Sequence, residues 1–222
     1  MNLVKAGFKI VGDVDGGHIL QSIEAAGRTC YKSESRTSKE SAQRFVAGLL
    51  KSGHDSVLEH QSVSVRIVCD RGVSHELVRH RLASYSQEST RYCNYRGGVT
   101  FVVPCFLDID IDPEDDGFYN ATGLGRRELC WLTSMKRAEI NYLKMLDLGA
   151  SPQEARAVLP NSTKTEMVMT ANLREWRHFF RLRAQGVTGK PHPQMLEIAV
   201  PMLREFQRVI PVVFDDIQEE VE

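Results

Sequence analysis

The sequence predicts an α+β protein: a single domain over residues 1–222, with a small, mostly antiparallel sheet packed by helices, one of them a long helix at about 119–148. Three observations predict it. Residues 62–69 and 163–171 alternate apolar and polar side chains, the period of a half-buried strand. Long stretches near 119–148, 173–184 and 192–208 carry helical character. Strands and helices then follow one another without the regular alternation that builds a parallel α/β sheet.

Taken in order, residues 3–12 read as a strand, and 18–32 as a helix with Ile19, Ile23 and Ala26 on one face. Thr37 and Glu40 have capping-box spacing and open a helix at about 39–52, with Phe45, Leu49 and Leu50 inward and Gly53 as its stop. In 62–69, Val63, Val65, Ile67 and Cys69 face one side, with Ser62, Ser64 and Arg66 on the other. Asp70-Arg71-Gly72 turns into a short helix at about 73–82. A strand over 99–103 ends at Pro104, and 106–117 is an acidic loop containing Asp108, Asp110, Asp112 and Asp116. The long helix stops at Gly149, and Ser151-Pro152 begins a short one. In the last helix Pro201 is expected to introduce a bend.

Composition narrows the function. Hydrophobic residues are 42% of the chain, enough for a core, and a net charge of −1 supplies no general field for long nucleic acid. Any anion site must be a local cluster. The five cysteines are odd in number and widely spaced without a C-x-x-C pair. They read as buried or idle thiols of a reducing cytosol, not as a disulfide framework or zinc site. The N-terminal segment carries only Lys5 and Lys9 as positive charges and lacks a long apolar run, unlike a signal peptide. With no apolar stretch near the ~20 residues that span a bilayer, a soluble, cytoplasmic protein is expected.

Several motifs fail on inspection. His75-Glu76 and His80 lie five apart at the histidines, about 140° around a helix, so one face cannot offer both to a metal. Asp108, Asp110 and Asp112 start a calcium loop, but Pro113 takes the glycine position and Tyr119 the glutamate position. Gly123-Leu-Gly125 lacks the third glycine and the preceding strand of a dinucleotide fingerprint. No metal is expected.

Residues 79–96 are different. Arg79, Arg81, Arg91 and Arg96 interleave with His80, Tyr85, Tyr92 and Tyr95 and with the hydroxyls of Ser84, Ser86, Ser89 and Thr90. Guanidinium forks grip phosphate, aromatic faces stack on planar rings, and hydroxyls donate to phosphate oxygens. This is the composition of a mononucleotide pocket; a solvated basic face is the alternative. On a helix over 73–82, Val73, Leu77 and His80 share the apolar face while Arg79 and Arg81 flank it, so the three basic residues cannot close on one small ligand. In 173–184, Trp176, Phe179 and Phe180 form the apolar stripe with Arg183 near its middle, and Arg174, His178 and Arg181 form a polar row. Arg183 must either reach water at the helix end or meet a buried acceptor. Arg156, before Leu159-Pro160, has no evident helical partner, and His54-Asp55-Ser56 is either a cofactor-lining turn or a plain helix stop.

Arg79-His80-Arg81, seven residues, then Ser89 resembles the RHR-x7-S motif of the flavin-dependent thymidylate synthases. Ser86 through Tyr92, Arg156-x-x-Leu159-Pro160, Asn172 to Arg174 with His178 and Leu182-Arg183-Ala184, and His54-Asp55-Ser56-x-x-Glu59-His60 resemble further segments of that family, in order along the chain. The resemblance implies reductive methylation of dUMP to dTMP. Methylenetetrahydrofolate gives the carbon, NADPH the hydride through FAD, and the active sites lie between subunits of a homotetramer. It implies FAD contacts at Ser56, Arg79, His80, Arg81, Gln87, Asn172, Arg174 and His178. For dUMP it implies Glu76, Arg79, Gln87, Glu88, Ser89, Thr90, Arg91, Arg156 and Arg183, with Arg183 beside the uracil ring stabilising developing negative charge. Glu76 departs from the glutamine often found there, and a carboxylate is better placed against sugar or an arginine than against phosphate. Gln87 can donate and accept but is no general base, and Ser89 has no base at obvious spacing, so both are assigned to binding. Two other readings stay open: a non-catalytic nucleotide- or RNA-binding module, and a flavoprotein reductase without methyl transfer.

Overall fold

The structure is a computed structural model, and it describes residues 1–38, 40–111 and 123–219. It is α+β. Its strands are β1 (Asn2–Val4), β2 (Gly7–Ile10), β3 (Ser62–Asp70), β4 (Ala83–Gln87), β5 (Thr100–Val102) and β6 (Lys164–Asn172). Its helices are α1 (Gly16–Thr29), α2 (Ser41–Lys51), α3 (Arg71–Leu77), α4 (Arg126–Asp147), α5 (Pro152–Ala155), α6 (Leu173–Arg183) and α7 (Pro193–Val209). One sheet has the order β2-β3-β6-β4, and β1 pairs with β5 in parallel, Asn2 opposite Thr100.

The chain divides into two compact units. The first comprises Met1–Gly7, Ile67–Arg79 and Ser86–Met167. Its core is Leu3 of β1, Phe101 of β5 with Val99 and Val103 beside it, and Leu132, Met135, Tyr142 and Leu146 of α4. Those helix residues recur every three or four positions, so one stripe of α4 meets the strand pair. Glu139 is buried on the same stripe, where it accepts from Val99 N at 3.1 Å and pairs with the Met1 amine and Lys136. These donors hold its carboxyl below the usual range despite burial.

The second unit comprises Phe8–Arg66, His80–Tyr85 and Val168–Glu222. Its centre is aromatic: Trp176, Phe179 and Phe180 of α6 with Phe206 of α7 and Phe214, ring centroids 5.1 to 5.8 Å apart. Trp176 Nε1 donates to Val63 O at 3.0 Å, so the indole is buried with its one donor satisfied. Arg177, a second buried charged residue of α6 beside Glu175, is 3% exposed and forks onto Asp216 at 2.6 and 2.7 Å.

Several expectations are corrected. The first strand is two short ones, β1 and β2, and Val63, Val65, Ile67 and Cys69 are buried on β3 as anticipated. The inward residues of α2 are Ala42 and Val46, while Phe45, Leu49 and Leu50 are half-buried. Its start is organised by Ser41, whose hydroxyl accepts from Ser38 N at 2.8 Å, and not by a Thr37–Glu40 box. Gly53 does stop α2, in a left-handed conformation at φ +70°. The helix drawn over 73–82 begins earlier and ends at Leu77, so His80 is not on its apolar face. The strand β4 beyond it was not anticipated, because Ala-Ser-Tyr-Ser-Gln carries little apolar alternation. Of the cysteines only Cys69 is fully buried; Cys30, Cys105 and Cys130 are exposed. The long helix begins at Arg126, with the described residues 123–125 before it not helical; the start proposed for it at 119, and the residues from Asp112 to Asp116, lie outside the described residues.

Candidate active site

The residues singled out in the sequence fall in both units, and each unit builds a polar cluster of its own. In the second unit the cluster grows from the start of α6. Asn172 caps the helix, its Oδ1 accepting from Glu175 N at 2.9 Å. The cap fixes Glu175 in the first turn, and its carboxylate meets His80 Nδ1 at 3.3 Å. His80 is 5% exposed, edge-on to Phe179 with centroids 5.0 Å apart, and Tyr85 OH donates to its carbonyl at 2.8 Å.

Arg183, the last residue of α6, donates from Nε to His80 Nε2 at 3.2 Å. Of the two fates open to an arginine on that stripe, it meets a buried acceptor. An arginine Nε always carries hydrogen, so His80 Nε2 must be bare and the ring proton must sit on Nδ1, toward Glu175. Burial first, then Arg183 and His178, push the His80 pKa down to about 4, so the ring is neutral at neutral pH. Burial raises the Glu175 carboxyl above its ordinary value.

His178, Arg174, Arg81 and Ser56 are exposed in the same unit. Arg174 pairs with Glu59 from the turn Asp55–His60, whose Val57 and Leu58 are buried. That turn therefore does structural duty beyond stopping α2. The ligand atoms of His80, Glu175 and His178 lie within 4.8 Å of one another, a spacing that suits a cation. The Arg183 guanidinium on the same imidazole opposes a metal ion there.

In the first unit, Gln87 ends β4 with its amide donating to Ser74 Oγ at 3.1 Å and Thr165 Oγ1 at 3.2 Å. Glu88 N donates to Glu166 O at 2.8 Å, and the Glu88 carboxylate accepts from Tyr95 OH at 2.7 Å and Lys164 at 3.4 Å. Lys164 also pairs with Glu166. Burial and Glu88 keep the Tyr95 phenol protonated well above its usual range. A turn follows: Tyr92 N and Cys93 N donate to Ser89 O at 3.1 and 2.9 Å, and Ser89 Oγ accepts from Arg91 N at 3.3 Å. Buried Thr90 accepts from Arg156 Nη1 at 3.1 Å, which gives Arg156 the partner its local sequence lacked. Arg91 lies over the Tyr92 ring at 5.3 Å. Glu76 is in the last turn of α3 and Arg79 is exposed just beyond it.

Sequence reasoning therefore named both ends of the Thr90–Arg156 and His80–Arg183 contacts without joining them. It missed Glu175, and it passed over Lys164. The spacing Asn172-x-x-Glu175 is a capping signal that locates Glu175 at the helix start, although not its partner. The arrangement presents guanidinium, hydroxyl and amide groups around one turn, and a neutral, oriented imidazole next to a guanidinium. That is the equipment for binding an anion and stabilising a developing one.

Comparison with known proteins points the same way. A family model described as thymidylate synthase complementing protein matches residues 17–212. A protein of Mycolicibacterium gilvum (strain PYR-GCK) named flavin-dependent thymidylate synthase is 38% identical over 216 residues, covering 93% of this chain and 82% of that protein. Its namesake in Mycobacterium avium (strain 104) is 37% identical over 213 residues with the same coverage. Among solved structures, a UMP/dUMP methylase PolB from Streptomyces cacaoi, bound with 5-Br dUMP, aligns with a TM-score of 0.77 at 23% identity, over 97% of this chain and 96% of that one. That last likeness is one of fold.

Proposed function

The chain belongs to the family of thymidylate synthase complementing proteins, and from that premise we propose that it is a flavin-dependent thymidylate synthase, as its relatives are named. It methylates dUMP to dTMP, with methylenetetrahydrofolate as carbon donor and NADPH as the source of reducing power. The observation that carries the reading is the pairing of Thr90 with Arg156 and of His80 with Arg183, across 66 and 103 residues, in a chain the family model matches over 17–212.

The turn from Gln87 to Arg91, with Glu88, Ser89 and Thr90, supports dUMP binding, and Arg156 and Arg91 suit its phosphate. Glu76 and Arg79 complete the set assigned to dUMP. Arg183 serves the uracil: its Nε is held by His80, which aims the rest of the guanidinium as a fixed positive group. Negative charge developing on the ring is stabilised best by such a preorganised donor in a poorly hydrated site.

FAD fits the donor set of the second unit. Arg81, Arg174 and His178 are exposed cationic or hydrogen-bonding groups of the kind a pyrophosphate and ribityl chain require. Ser56, Arg79, His80, Gln87 and Asn172 are assigned to it as well; Asn172 Oδ1 is committed to the cap, which leaves its amide nitrogen to donate. When bound, the flavin supplies the hydride. The protein is further read as one catalytic domain over 1–222, a homotetramer with active sites at subunit interfaces, and cytoplasmic. No helix among the described residues is long and apolar enough to cross a membrane.

The visible spectrum tests this. Purified protein, incubated with FAD if needed, should be yellow, bleach with NADPH, and yield dTMP only when dUMP and methylenetetrahydrofolate are both present. Protein that takes up no flavin sinks the reading; NADPH oxidation without dTMP marks a reductase instead.

A further inference from the structure

Glu175 occupies a position that neither binding assignment uses. It is 6% exposed, fixed by the Asn172 cap, and directed at the ring edge of His80 opposite the edge that faces Arg183. We propose that Glu175 is a positioning residue: its carboxylate holds His80 in the Nδ1–H tautomer, which leaves Nε2 as the acceptor that sets Arg183.

The logic is one of donor count. Arg183 Nε can only donate. If Nδ1 lost its acceptor, the ring proton would be as well placed on Nε2, where it would oppose the Nε–H of Arg183 at 3.2 Å. A buried, unsatisfied donor pair is costly, so Arg183 would turn away. A carboxylate at Nδ1 removes that alternative. The described groups that meet the ring agree with one arrangement. His178 and Phe179 meet it edge-on, Tyr85 ties its backbone carbonyl, and Arg183 and Glu175 take its two nitrogens. Burial and the neighbouring Arg183 disfavour a doubly protonated ring, so the choice is between tautomers, not charges.

The effect on turnover rests on the proposed synthase reading; the tautomer does not. The test is therefore made on both. Protein labelled with 15N-histidine is examined by NMR as wild type, Glu175→Ala and Glu175→Gln, with His80→Gln to assign the signal. The wild-type His80 ring should show a protonated Nδ1 and a bare Nε2. Glu175→Ala should show exchange-averaged tautomers, and Glu175→Gln one tautomer, set by whether its amide oxygen or its NH2 faces the ring. In parallel, dTMP formation at saturating dUMP should fall about tenfold or more in the alanine variant, as when a group orienting an imidazole is removed, and in the glutamine variant it should follow the tautomer that the spectrum shows, since an amide can turn either its oxygen or its NH2 to the ring. A wild-type ring protonated on Nε2, or an alanine variant with an unchanged tautomer, overturns the proposal. Should the alanine variant fail to fold, Glu175→Met, which keeps most of the volume and removes the acceptor, takes its place. Wild-type protein that makes no dTMP defeats the synthase reading and leaves the tautomer result standing.

Discussion

Arg183 Nε and His80 Nε2 share a hydrogen bond of 3.2 Å across 103 residues of chain. The bond makes the arginine part of a rigid unit: capped helix, buried glutamate, oriented imidazole, guanidinium. Its consequence is that the charge at Arg183 and the geometry at Arg183 are separable by mutation.

Arg183→Ala should remove the charge and Arg183→Lys should keep it while losing the Nε–H that His80 accepts. If stabilisation of a developing anion is the role, alanine should lower dTMP formation by about 10²–10³-fold. Lysine should restore only part, because an ammonium lacks the planar fork. Both proteins should fold and retain flavin, checked by circular dichroism and absorbance. Near wild-type turnover in the alanine variant would remove Arg183 from the chemistry.

His80 gives a prediction about pH. Its ordinary value of 6.5 drops to about 4 in the folded protein. Between those values the unfolded chain binds a proton that the folded chain refuses, so this group's stabilisation is complete above about pH 6.5 and declines as pH falls toward 4. Glu175, raised by burial, contributes with the opposite sign. The two are separated by comparing denaturant midpoints of wild type and His80→Gln from pH 7 to 4. The wild-type midpoint should fall more steeply across that window, and parallel curves would contradict a depressed His80.

Much of the fold was legible because periodicity is local. The alternation in β3 and β6, the glycine stops after α2 and α4, and the stripe of α6 are each written within a dozen residues. The end of α3 was not, because Val78 to Leu82 prolong a helix-compatible pattern while the chain actually turns into β4. The site was legible as residue types and not as partners. Thr90–Arg156, His80–Glu175 and His80–Arg183 join positions 66, 95 and 103 apart, and no local pattern encodes such pairs. Arg177 was unread for the same reason, since its acceptor Asp216 lies 39 residues away.

Gly16 offers a test of the second unit's packing. A Cβ there would overlap the carbonyl oxygen of Val209, at the end of α7. The obstacle is backbone, so no rotamer change relieves it. Gly16→Ala should destabilise by about 1–3 kcal/mol, the range for overpacking, although alanine is the better helix former. A raised thermal midpoint would show that helix propensity outweighs the clash.

Asp216 completes the set. Arg177 is 3% exposed, donates to the Val213 carbonyl, and is met by both Asp216 oxygens; its Nε has no partner among the described residues. Removing the carboxylate would leave a buried guanidinium with one carbonyl, whereas the aspartate itself, half exposed, would lose little by being freed. Asp216→Ala should therefore cost about 2 kcal/mol, below the 3–5 typical of a fully buried pair because water reaches this one. Arg177 holds the Asp216 carboxyl below its ordinary value of 3.8, so the pair's stabilisation is complete above that pH and is lost as pH falls through the lower, folded value. The double variant Arg177→Met with Asp216→Ala should recover most of the loss, since the stranded charge is then gone. Equal destabilisation in the single and double variants would mean that Arg177 contributes through its contacts along α6 and not through its charge.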